Sequence, residues 1–218
     1  VTVDGEGGGT VVTVLADGVT IRGLHLTNSG NSHDQVDAAL LLAANDALVE
    51  DNRMDDVLFG IHIRQANGNV VRNNWIESRA EEPSLRGEGI RVWYSSDNLM
   101  EGNHITQVRD VVFTNSSNNR FIGNTIENSR IGMELIFSPD NEIAENTLIR
   151  NTTGIVLIYS NGVVIRKNRL LNMPDATSSA LAVKESSQVR LEANDIVRCA
   201  VGLTANSPTD PENIIYLT

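Results

Sequence analysis

Asp97–Ile105 reads DNLMEGNHI, and three later stretches follow the same grammar: NNRFIGNTI at 118–126, DNEIAENTL at 140–148 and GVVIRKNRL at 162–170. Asn103, Asn124, Asn146 and Asn168 hold one position, at spacings of 21, 22 and 22 residues. Between them a second phrase recurs as VVFTNSSN at 111–118, GMELIFSPDN at 132–141 and GIVLIYSNG at 154–162. A period near 22, with two short β-rich phrases and polar turns, marks a solenoid whose turns bury apolar side chains only against their neighbours. Helical repeats of roughly 33 to 47 residues do not fit, and the leucine-rich pattern is absent. The fold class expected is all-β, a single-stranded right-handed parallel β-helix (solenoid) of about eight to nine turns.

The pattern continues both ways. Upstream, Asn74 (VVRNNWI) and Asn52 (LVEDNRM) hold the same position, and Leu24 (TIRGLHL) replaces the Asn one turn earlier; downstream, Asn194 (VRLEANDI) continues it. Inward amides stacked at the ~4.8 Å strand spacing can hydrogen-bond to one another and to turn backbone. Asn52, Asn74, Asn103, Asn124, Asn146, Asn168 and Asn194 are therefore read as a structural ladder, not as ligands.

Strand alternation predicts three inward apolar columns. They run Ile21, Val49, Val71, Met100, Phe121, Ile143, Ile165, Leu191, then Leu26 to Ile196, then Leu40 to Leu203, one residue per turn. Met54, Met100 and Met133 fall in these columns as gap fillers, and Met173 is expected in a loop. His25 and His104 share an outward column but stand about 14 Å apart, too far for one metal ion. His62 is expected in another outward column, between Leu41 and Arg91.

The chain has 218 residues, a formal net charge of −11 and one cysteine, Cys199, so an intrachain disulfide is impossible. The acidic balance argues against nucleic acid or an anionic membrane surface as partner. No run of about 18 apolar residues exists to insert into a membrane, and no signal peptide is read in this chain. Residues 1–218 are read as one β-helix domain. The chain opens on VTVDGEGGG and stops on NIIYLT, both inside the pattern, so it is expected to be a piece of a longer solenoid.

Three turns are longer than the rest. From the Asn position to the next phrase most take 7 or 8 residues, whereas Leu24 to Ala39 and Asn74 to Gly89 take 15 and Asn168 to Ala180 takes 12. All three insertions fall at one corner, and loops leaving a rigid scaffold from one edge are where such folds bind. The corner of turns one to three gathers His33, Asp34, Asp37, Asp55, Asp56, Glu81, Glu82, Arg86 and Glu88, with His62, Arg64, Arg91, Trp93 and Tyr94 on the strands that leave it. Carboxylates with His suit a borderline or hard metal ion, and His33, Asp34, Asp37 and His62 are the candidate metal ligands. The same mixture with Arg and an aromatic platform suits a sugar chain. A solvated acidic rim is the plainer reading.

The whole chain resembles the NosD family, periplasmic copper-binding β-helix proteins that assist maturation of nitrous-oxide reductase. The resemblance rests on VDGEGGGTVVTVLADGVTIRGL at 3–24, NSHDQVDAALLL at 31–42, ALVEDNRMDDVLFGIHIR at 47–64, GEGIRVWYS at 87–95, RDVVFTNSSNNRFIGNTI at 109–126 and RIGMELIFSPDN at 130–141. It implies a periplasmic or extracellular protein made with a cleavable signal. It also implies an ABC-type ATPase and membrane subunit as partners, and copper passed from a small chaperone to the apo-enzyme. The family's phrases often carry His or Met where this chain has Arg91, Glu134 and Ile136. The resemblance implies copper as the cofactor, and these three replacements run against it. The alternative function is a carbohydrate-active β-helix (epimerase, lyase or polysaccharide-binding) using the inserted corner.

Overall fold

The computed structural model describes residues 1–79 and 82–206, together with the backbone of Ile215–Leu217. Among the described residues, twenty-seven short strands form three nine-stranded sheets whose strands come from successive turns. The first sheet begins with Thr2–Asp4 and His25–Thr27, the second with Val12–Val14 and Ala38–Leu42, and the third with Thr20–Arg22 and Leu48–Glu50. Each strand pairs in parallel with its counterpart one turn away, for example Met100 with Phe121 and Phe121 with Ile143. The chain is a right-handed parallel β-helix of about nine turns.

The three inward columns stack as the alternation requires. Met54 pairs with Ile76, Ile76 with Ile105 and Ile105 with Ile126, and all four are fully buried. Leu40 pairs with Ile61, Ile61 with Ile90 and Met133 with Ile155 along the second sheet. This single core runs the length of the rod. Met173 differs from expectation: the strand Arg169–Met173 reaches it and its side chain is buried beside that of Cys199 on the next turn. The inserted loop starts one residue later.

Polar files seal two corners of the core. Between the third and first sheets Asn52 donates to Asn74 at 2.9 Å, Asn74 to Asn103 at 3.0 Å, and so on through Asn124, Asn146 and Asn168 to Asn194. Each amide oxygen also accepts from the backbone N–H of the preceding Asn, as at 2.8 Å between Asn103 N and Asn124 Oδ1. The residue just before each ladder Asn takes a left-handed conformation, including Asp51, Asn73, Glu145, Lys167 and Ala193, with Gly at 102 and 123. One such residue turns the chain through the corner in minimal length. Between the second and third sheets run a second Asn file, Asn69, Asn98 and Asn119, and a Ser file from Ser95 through Ser116, Ser138 and Ser160 to Ser186. A buried backbone N–H left without a partner costs about 1–3 kcal/mol, so these files are stabilising and not merely tolerated.

The third corner, between the first and second sheets, carries the length variation. Residues 28–37 and 174–180 fill the gap there in turns one and seven, with 79 and 82–89 in turn three, while Leu58 alone separates Arg53–Val57 from Phe59–Arg64 in turn two.

Candidate functional site

At the inserted corner Asp37, His33, Asp55 and Asp56 are each occupied by other side chains or by backbone. Asp37 is buried, and its carboxylate accepts from Ser32 N at 2.8 Å, holding the first loop. His33 is exposed; its Nε2 lies 3.0 Å from Leu85 O of the third-turn loop, and its ring meets Phe59 edge-on at 5.6 Å. Asp55 pairs with His25 at 2.7 Å and with Arg53 at 2.6 Å. Burial pushes the Asp55 carboxyl up, but these two partners outweigh it and hold the group below the usual carboxylate range. Asp56 lies 3.6 Å from Arg79 Nε, and Arg79 also reaches back to Ser29 O across the first loop. Asp34 and Glu82 are exposed, Arg86 is half-buried, and Glu81 lies outside the described residues. The structure thus brings His33 to the third-turn loop and Asp55 to His25, but it does not bring His33, Asp34, Asp37 and His62 to one point.

His62 stands in the outward column between Leu41 and Arg91, as the alternation predicts, yet it is only 5% exposed. Its Nε2 has no hydrogen-bond partner among the described residues. Burial, with Arg91 and Arg64 nearby, pushes its pKa down to about 4, so the ring is neutral at pH 7. One and two turns further along, two nearly inaccessible carboxylates anchor a network. Glu88 is 2% and Asp110 1% exposed. Arg109 pairs with both, Arg130 pairs with Asp110, and Arg91 lies 3.5 Å from Glu88. Sequence reading placed Glu88 on the corner rim but missed Asp110, Arg109 and Arg130. Their only signal was charge in apolar surroundings, as in RDVVF at 109–113. Trp93 and Tyr94 meet edge-to-face at 4.8 Å where the strand Ile90–Trp93 leaves this face.

Three hollows among the described residues bear on the site. One, about 750 Å³, lies under the turn-seven loop and is lined by Arg150, Asn151, Thr152, Pro174, Asp175 and Arg198 among others. Arg150 is committed to Glu127 and Asn128. A second, on the opposite side of that loop, has a volume of about 320 Å³ and contains Glu134 and Lys184. The third, about 480 Å³, is a shallow polar groove by Arg72, Glu101 and Glu145.

Copper does not fit the donors present. Among the described residues no group of three or more His, Cys, Asp or Glu is placed to hold a metal ion. Met54, Met100, Met133 and Met173 are buried in the core. His104 stacks on Trp75 at 4.1 Å and pairs with Glu127, while His25 pairs with Asp55. No helix of the described residues is long and apolar enough to cross a membrane.

Residues 2–127 match the right-handed β-helix region family. A probable ABC transporter binding protein NosD of Pseudomonas aeruginosa is 33% identical over 110 residues, which is 49% of this chain and 26% of that protein. The match thus spans about a quarter of that relative's length. Among solved structures, the periplasmic alginate epimerase AlgG superposes with a TM-score of 0.70 at 14% identity, covering 93% of this chain and 54% of that one. A tailspike protein mutant of E. coli bacteriophage HK620 gives 0.68 at 10% identity, covering 91% and 40%. At those identities the likeness is one of fold. The periplasmic copper-binding protein (NosD) model matches residues 76–215, well over half of the sequence, and the chain belongs to that family.

Proposed function

We propose that this chain is the β-helical part of a periplasmic accessory protein that serves copper delivery to nitrous-oxide reductase beside an ABC transporter. The observation that carries the reading is the family match over residues 76–215, and the name of the Pseudomonas relative supports the transporter partnership. Copper enters as cargo, received from a small chaperone. Since the described donors form no group of three, the chain's share of the work is to present rigid faces to its partners. For the carbohydrate-active alternative at the inserted corner, Asp37, Asp55 and Asp56 are already engaged by protein groups, which disfavours them as an acid–base pair.

Two measurements test this. The full-length protein, tagged, is expected to co-purify with the ABC-type ATPase and its membrane subunit, and failure to retain either would remove the transporter part. Anaerobic copper(I) titration of this chain against a competing chelator is expected to show no site tighter than about micromolar. Stoichiometric tighter binding that disappears on replacing His33 and His62 would overturn the assignment of metal handling to other parts of the assembly.

A further inference from the structure

The hollow between the second sheet and the turn-seven loop is built differently from the inserted corner. Its floor is a run of outward positions on four successive turns, Glu134, Val156, Ala182 and Thr204, paired in register. Ala182 has no side chain beyond Cβ, which opens space between its bulkier neighbours. One wall is the loop at Thr177–Ser179, and Asp175 stiffens it by accepting from Thr177 N at 2.9 Å and Thr177 Oγ1 at 2.7 Å. Ser178 N and Oγ donate to Asp175 O at 3.1 and 3.0 Å. The enclosed volume is about 320 Å³.

Its polar groups are left over from folding. Among the described residues neither the Glu134 carboxylate nor the Lys184 ammonium takes part in a hydrogen bond or ion pair with the protein. Half-burial, with Asp110 adding to it, pushes the Glu134 carboxyl up, against the pull of Arg130, Arg109 and Lys184. Thr153 and the linked hydroxyls of Ser179 and Thr204 complete the polar lining, and Ile131 with Val156 supplies apolar surface. A half-desolvated carboxylate without a partner is costly, and a ligand that donates to it relieves that cost.

The strands that supply Glu134 and Val156 run on to Ile136 and Ile158, which are half-buried and face outward. Phe137 and Tyr159 come next, each 51% exposed and stacked on each other at 5.0 Å with planes 4° apart. Both take left-handed backbone, at φ 49° and 50°, a conformation that bulky residues adopt at a cost. Two exposed rings therefore stand about 10 Å along the strands from the Glu134 position.

We propose that this hollow binds a short neutral oligosaccharide, with one sugar ring against Glu134, Lys184 and the Thr and Ser hydroxyls and the next lying toward the Phe137–Tyr159 stack. Vicinal sugar hydroxyls donate to the carboxylate and accept from the ammonium, and the C–H face of the ring covers the apolar floor. The two charges cancel locally, and the chain's net −11 disfavours a uronate chain. This activity stands apart from copper delivery and survives its failure.

The test is calorimetric titration of the chain with cellotriose, with tri-N-acetylchitotriose and with trigalacturonate. One neutral trisaccharide is expected to bind with Kd on the order of 100 μM, at least tenfold tighter than trigalacturonate. Glu134→Gln and Lys184→Met should each weaken it about tenfold, and Ala182→Met, which fills the floor, should abolish it. Thermal melts of the three variants, expected within a few degrees of the parent, confirm that the fold is intact. The proposal is overturned if neither neutral sugar saturates, if trigalacturonate binds best, or if binding persists in folded Ala182→Met.

Discussion

The inserted corner of turns one to three and the outer face of the second sheet are both rich in charge, but they use it oppositely. At the corner Asp37, Asp55, Asp56 and His33 each have a nearby partner, and the polar atoms hold the loops to the rod. On the sheet face His62 Nε2 has no partner among the described residues, and Glu134 and Lys184 face a hollow, while Glu88 and Asp110, at the corner itself, are almost wholly buried among arginines. A crowd of chemically capable residues therefore marks a site less well than a few that folding leaves unpaired. Loops need polar side chains for their own order, whereas a flat β-face has no such need.

The strongest way to break this contrast is Arg109→Ala. It leaves Glu88 and Asp110 buried with reduced compensation, and the expected loss is about 3–5 kcal/mol in a denaturant titration. A loss below about 1 kcal/mol would mean that water reaches the network and that the face is not special. The next effect is one of pH. With its folded pKa near 4, below the unfolded value near 6.5, His62 is protonated more readily in the unfolded chain. Stability is therefore fully present above about pH 6.5, falls as pH drops toward 4, and changes no further from this group below that. The upper bound is about 3 kcal/mol. Asp55 and Glu142, held below the usual carboxylate range, also lose stability on acidification, so the informative quantity is the difference between the parent and His62→Leu. A flatter dependence in the variant between pH 6.5 and 4.5 is expected, and parallel curves would remove His62 from the account. Smallest is His33→Ala at the corner, where one hydrogen bond and one ring edge are lost from an exposed position. Less than about 1 kcal/mol is expected, and a larger loss would make the two regions alike.

The fold was legible because a parallel solenoid writes its geometry into sequence at fixed intervals. The spacing of Asn103, Asn124 and Asn146 gave the period, and alternation around them gave the columns that pair as Met100 with Phe121 and Ile105 with Ile126. Met173 was misplaced because the edge of an insertion has no period to betray it. His62 was assigned its column but not its burial, since alternation tells which side of a strand a residue faces and not what covers it. The network of Asp110, Arg109 and Arg130 was invisible for a related reason. Arg109 meets Glu88 across 21 positions and Arg130 meets Asp110 across 20, only because neighbouring turns stack. The hollow at Glu134 depends on a loop some 40 residues downstream. Its sequence signature, a small residue at 182 among larger ones, has meaning only once the register is known.

The Asn and Ser files have a consequence for how such a molecule can change. At the corners they guard, left-handed residues at fixed positions set the chain length, and one extra residue would reverse which side chains of the next strand face the core. The remaining corner has no such file running its length, and it alone absorbs segments of different size, from Leu58 by itself to 28–37. Two edges of the prism thus work as fixed hinges and the third as an open margin, where new binding surface can be added turn by turn without disturbing the register of what lies beneath.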